Sequence, residues 1–145
     1  MIKTSLRAAF YGFLLLSFFS LPAASVVRTD DAFKASAQAA QRWLQLVDQG
    51  KYEQSLGVAS ANLRLIFPRQ RWVYLMQNIR KPLGQVRSRK LLDQKEAKDP
   101  PNLPKGNYMV IVYGTSFSRR KSAHELVTLV QGRDGRWRVL TYLVQ

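Results

Sequence analysis

Apolar residues recur along this chain with two different periods. Between Thr29 and Gly50, Phe33, Ala37, Ala40, Trp43 or Leu44, and Val47 return at three- and four-residue steps, the spacing of one helix face. Thr29, Asp30 or Asp31 can cap this helix, and the two acids suit the positive end of its dipole. Gly50 is its natural stop. A second helix is predicted over "KYEQSLGVASANLRLIF", residues 51–67, with Tyr52, Leu56, Ala59, Leu63 and Ile66 on one face. Gly57 weakens it by about 1 kcal/mol relative to alanine. A third helix is predicted over "PRQRWVYLMQNIRKPLG", residues 68–84. Pro68 suits its first turn, Trp72, Leu75 or Met76, Ile79 and Leu83 are expected on its buried stripe, and Pro82 ends it.

The period then shortens to two. "QVRSRKLL", residues 85–92, places Arg87, Arg89 and Leu91 on one face and Val86, Ser88, Lys90 and Leu92 on the other. Residues 93–106, "DQKEAKDPPNLPKG", are polar and proline-rich and read as a loop. "NYMVIVYGTSF", "AHELVTLVQ" and "RWRVLTYLV" read as three further strands. The links Ser118–Ser122 and Gly132–Gly135 are short enough for hairpins, and Asp134-Gly135 is a hairpin turn signal. Helices followed by strands predict an α+β domain, with three N-terminal helices packed on a four-stranded antiparallel sheet.

The N-terminus carries a different pattern. "MIKTSLR" has two bases and no acid; an apolar run from Ala8 to Ala24 follows, broken by Pro22 and closed by small residues. This order reads as a secretory signal peptide cut near Ala24 or Ser25. Residues 1–24 are therefore expected to be a signal peptide, and residues 25–145 a single exported α+β domain, periplasmic or secreted. The alternative is an uncleaved membrane anchor, for which the run is somewhat short of the roughly 20 apolar residues a span needs. With no cysteine in the chain, neither a lipid-modified N-terminal cysteine nor a disulfide is available.

Charge narrows the partners. The chain has 23 Lys and Arg against 9 Asp and Glu, a net charge of +14. Such a surface attracts anions: headgroups, acidic polysaccharide, nucleic acid or an acidic protein.

Several phrases occur together: "WLQLVDQGKYEQS" (43–55), "IRKPLGQVRSRKL" (79–91), "LPKGNYMVIVYGTSF" (103–117), "ELVTLV" (125–130) and "DGRWRVLTYLV" (134–144). In combination they resemble an uncharacterised bacterial family of small exported proteins, the domain of unknown function numbered four thousand and nineteen. The resemblance spans about Ala37 to Val144. It implies a curved, cone-shaped roll like those of the nuclear-transport-factor-two and cystatin-like folds. It implies no reaction, and fold analogy alone licenses no function.

The residues themselves argue against most chemistry. His124 is the only histidine, and it is adjacent to Glu125 on a predicted strand, so their side chains point to opposite faces. A Ser/His/acid relay from Ser122, His124 and Glu125 therefore fails geometrically. One histidine and no cysteine leave zinc and copper without ligands, and Asp93, Glu96 and Asp99 do not match a calcium loop. No metal site, cofactor or catalytic residue is assigned. Asp48 and Glu53 are explained by helix ends and surface charge, although cone-shaped rolls elsewhere house enzymes.

Two sets of residues stand as candidates. Arg87, Arg89, Arg119, Arg120, Lys121, Arg136 and Arg138 are expected to form a positive sheet face and hairpin tip for an anionic partner. Tyr52, Trp72, Tyr113, Phe117 and Tyr142 are expected to line, or simply fill, the space between helices and sheet. Nucleic acid is disfavoured, because no aromatic platform is interleaved with the bases. The expected role is a non-enzymatic binding or assembly module of the cell envelope, meeting an anionic envelope component, a membrane surface or a protein partner. The alternatives are a small-molecule pocket protein or enzyme, and a membrane-anchored subunit of an envelope complex.

Overall fold

The three-to-four period of the first half becomes four helices, and the two-residue period of the second half becomes four strands. The computed structural model describes residues 29–145; the expected signal peptide, residues 1–24, lies outside them. The helices are α1 (Thr29–Asp48), α2 (Tyr52–Gly57), α3 (Ala61–Ile66) and α4 (Arg69–Arg80). The strands are β1 (Val86–Lys98), β2 (Asn107–Phe117), β3 (Ala123–Gln131) and β4 (Trp137–Val144). All neighbours are antiparallel, in the order β1-β2-β3-β4. The helices cover one face of this curved, open sheet. Among the described residues no helix is long and apolar enough to cross a membrane.

Two expectations are corrected. The helix predicted over residues 51–67 is two helices. Ser60 has extended backbone and its hydroxyl accepts a hydrogen bond from the Leu63 amide, capping α3. Its own N–H donates to the Val139 carbonyl of β4, so the break between α2 and α3 ties the helices to the sheet edge. The loop predicted to begin at residue 93 begins instead after Lys98. Pairing runs from Asp93↔Val112 to Lys98↔Asn107. An edge strand needs a buried face on one side only, so its polar composition is compatible with pairing and guards its free edge.

The core lies between α1, α2, α4 and the inner sheet face. Trp43, Leu44, Val47, Trp72 and Met76 from the helices meet Met109, Ile111, Val127, Leu129 and Val139 from the sheet. Trp43 donates its indole N–H to the Ser55 carbonyl, and Trp72 donates to the Tyr52 carbonyl and the Ser55 hydroxyl. Both large rings are thus buried with their polar groups satisfied. The inner phase of the sheet is shifted three times. One extra residue stands in β1 at Arg87, another at Leu92, and one in β4 at Leu140.

Candidate functional site

The sheet's inner face ends in charge rather than in hydrocarbon. Glu125 faces inward from β3 between Ala123 and Val127, and its side chain is fully buried. Arg80, in the last turn of α4, is 5% exposed. Its Nη1 donates to Glu125 Oε1 at 3.0 Å and its Nη2 to Asp48 Oδ1 at 2.8 Å. Arg89 of β1 donates from Nε to Glu125 Oε2 at 2.6 Å, and from Nη1 to Asp48 Oδ2 at 2.7 Å. Tyr142 and Thr115 donate their hydroxyls to Glu125, at 2.6 and 2.5 Å. The Arg80 guanidinium also lies 4.9 Å over the Phe117 ring. Two arginines and two acids make this cluster neutral. It joins α1, α4 and all four strands.

Burial opposes the charge on both arginines, but their partners outweigh it. Tyr142, Asp48 and Glu125 hold the Arg80 pKa above its ordinary value, and hydrogen bonds to Asp48 and Glu125 do the same for Arg89. The Tyr142 phenol is pushed up by burial and then by the Glu125 charge.

A cavity of about 670 Å³ opens above the exposed end of this cluster. Asp48 and Arg80 stand at its floor, with Tyr52 and Tyr74, the amides of Gln77, Asn78 and Gln85, and the cations Lys81 and Arg119 around them. The turn after α4 is held against the β2–β3 tip. The Ser118 N–H donates to the Gln85 carbonyl, the Gln85 N–H to the Ser118 hydroxyl, and the Arg119 N–H to the Leu83 carbonyl. Gly84, at φ +76°, permits the approach; a Cβ there would stand 2.1 Å from Ser118 Oγ.

The structure separates the residues expected on one basic face. Arg89 points inward and is consumed by ion pairs, because the extra residue at Arg87 shifts the alternation and puts Val86 and Arg89 on the helix side. Arg87 is exposed. Arg119, Arg120 and Lys121 are exposed at the β2–β3 tip. Arg136 and Arg138 lie at the β3–β4 turn, where Arg138 is pinned to Asp134 at 2.6 Å. The five aromatics are also dispersed. Tyr52 lines the cavity, Tyr113 and Phe117 are buried, and Trp72 and Tyr142 reach from the core to an apolar groove. That groove, about 640 Å³, runs along the β4 edge between Leu65, Ile66, Leu103 and Leu143. The sequence pattern does not single out Glu125, Arg80 or Asp48 as site residues, and the structure joins Asp48 to the two arginines rather than leaving it as surface charge. Glu53 is exposed, 3.7 Å from Arg69.

A structure from Catenulispora acidiphila superposes with a TM-score of 0.53 at 15% identity, over 80% of this chain and 91% of that one. At that identity the likeness is one of fold. None of the curated proteins matches the chain. The model of the family described as "Protein of unknown function (DUF4019)" matches residues 39–142. Among the described residues no cluster of His, Cys, Asp or Glu is placed to hold a metal ion, and the chain has no cysteine.

Proposed function

We propose, for a chain that belongs to the DUF4019 family, a non-enzymatic role as an exported module that binds an anionic component of the cell envelope. One observation carries the reading. The cavity over the ion cluster is lined by a single acid, Asp48, already engaged by two arginines, whereas the rim cations Lys81 and Arg119 have no carboxylate partner among the described residues. The cavity therefore presents uncompensated positive charge. The amides of Gln77, Asn78 and Gln85 and the tyrosines beside them add donors and acceptors suited to a polyhydroxylated body. An acidic sugar unit fits this chemistry best. The non-enzymatic reading rests on the acids. A general base needs an oxygen free to reach substrate, and Glu125 is buried with both oxygens engaged.

Calorimetric titration with acidic oligosaccharides, at low and raised salt, tests this. Replacing Lys81 and Arg119 with glutamine should weaken binding about tenfold or more. Affinity indifferent both to salt and to this double variant would refute the reading. Export itself rests on the N-terminal sequence; the intact mass of the natural protein separates a cleaved chain from an anchored one.

A second role, docking of an apolar protein segment, is favoured by the groove along β4. Leu65 is 84% exposed beside Ile66 and Leu143, and contiguous apolar surface of this kind marks interaction sites. Sedimentation of the wild type against Leu65→Asp tests whether the groove supports self-association.

A further inference from the structure

We infer that a second anion site, specific for a phosphate group, lies on the arginines that surround the β3–β4 turn. It shares no residue with the cavity beside Arg119 and does not rest on the role proposed for that cavity. Arg42 of α1, Arg64 of α3, Arg136 just before β4 and Arg138 within it line one cavity of about 660 Å³. No carboxylate lines it. Two of the arginines are fixed. Arg64 donates from Nη1 to the carbonyls of Gly57 at 3.1 Å and Ala59 at 2.9 Å, and Arg138 holds Asp134 with two bonds of 2.9 and 2.6 Å. The other two are available. Arg136 Nε is 4.0 Å from Asp134 Oδ2, beyond hydrogen-bond reach, and Arg42 has no ion-pair partner among the described residues.

Four arginines from three segments face one carboxylate, Asp134, so the cluster keeps a net positive charge that a bound anion would offset. Planar guanidinium forks offer paired N–H groups to tetrahedral oxyanions, and several together can engage more of a phosphate's oxygens than a carboxylate offers. The volume greatly exceeds a bare phosphate, and Val58, Ala39 and Trp137 give the wall an apolar part. The ligand class is therefore a phosphate ester or diphosphate carried on a larger body, whether a soluble phosphorylated molecule or a phospholipid headgroup.

The test uses the purified protein with two probes: inorganic pyrophosphate by calorimetry, and sedimentation with phosphatidylglycerol–phosphatidylcholine vesicles against phosphatidylcholine alone. Arg42→Gln with Arg136→Gln should weaken binding of at least one probe by about tenfold per arginine. Arg120→Gln with Lys121→Gln removes the same charge elsewhere, at exposed residues that line neither cavity, and should change it less than about twofold. Both replaced pairs are exposed, and unchanged thermal melting verifies the fold. Binding of pyrophosphate identifies a soluble source, and binding of anionic vesicles alone identifies a headgroup. Saturable binding of neither probe, or equal weakening by the two double variants, would overturn the site. Failure of the Lys81 and Arg119 variant to affect oligosaccharide binding leaves this result untouched, since the two tests share neither probe nor substituted site.

Discussion

Removing Glu125 should unbalance the ion cluster more than any single change on the surface. Its carboxylate accepts five hydrogen bonds, from Arg80 Nη1, Arg89 Nε and Nη2, Thr115 and Tyr142. In a Glu125→Leu variant the volume is roughly kept, but Arg80, only 5% exposed, retains one acid that is itself 25% exposed. Breaking a buried pair from one side costs about 3–5 kcal/mol, because a charge is left uncompensated. Against a total stability of about 5–15 kcal/mol, that is a large fraction. For a domain of this size it corresponds to a fall in Tm of roughly 10–20 °C. Urea unfolding followed by circular dichroism measures it, with an unchanged m-value showing that the unfolded ensemble is the same. Adding Arg80→Met should restore at least about 2 kcal/mol, since the orphaned charge then disappears while Arg89 and Asp48 keep each other. A Glu125→Leu loss below about 1 kcal/mol, or a double variant no better than the sum of the singles, refutes the reasoning.

Three further outcomes follow from the same geometry. The Tyr142 pKa is raised in the folded state, so its neutral phenol contributes stability that is present below the unfolded value near 10 and is lost as pH rises above it. Tyr142→Phe should therefore flatten the alkaline end of the stability profile, and ultraviolet titration should show this tyrosine ionising only with unfolding. Asp134, bonded by Arg138 and by the Arg136 amide, is held well below the usual carboxylate range. Its contribution is present above the ordinary value and is lost progressively as pH falls from there through the lowered one. Carbon NMR should find it ionised when the other carboxyls have titrated, and Arg138→Gln should return it toward them. Gly84→Ala should lower stability by about 1–3 kcal/mol, from positive φ and the contact with Ser118, and thermal melting reads the loss directly.

The strands were legible where one phase ran unbroken. β2 from Met109 to Phe117 and β3 from Ala123 to Val130 alternate without interruption, and their apolar period-two pattern predicts their spans. In β1 the extra residues at Arg87 and Leu92 reset the phase, so simple alternation put Arg89 beside Arg87 instead of under the helices. The same strand's polar end hides its pairing, since one free edge removes the need for apolar residues. The split between α2 and α3 did leave a signal. Ser60, three residues before Leu63, has the chemistry of a cap, but a continuous apolar stripe masked it. Glu125 was also within reach, because the inward phase of Val127 and Leu129 carries back to it and makes it a buried acid on a strand. Its partners were not. Asp48, Arg80 and Arg89 come from three separate elements, and nothing local marks them as neighbours.

The cluster explains how an irregular edge strand is held in one register. Hydrocarbon packing alone tolerates slippage where a strand is polar on most of its length, and β1 is exposed at most positions. Arg89 is an exception. It binds Glu125 across the sheet and Asp48 at the end of α1, so a one-residue slip would bring Ser88 or Lys90 to its place and cost both acids their paired guanidinium bonds. Arg80 applies the same constraint to the end of α4. With the ends of α1, α4 and β1 fixed together, the turn through Gly84 and Gln85 is delivered against Ser118 and Arg119. The cavity above is thereby preformed, and its charge is set by what lies outside the neutral cluster. Under the role proposed for this cavity, the buried ions serve architecture and ligand contact falls to Lys81 and Arg119.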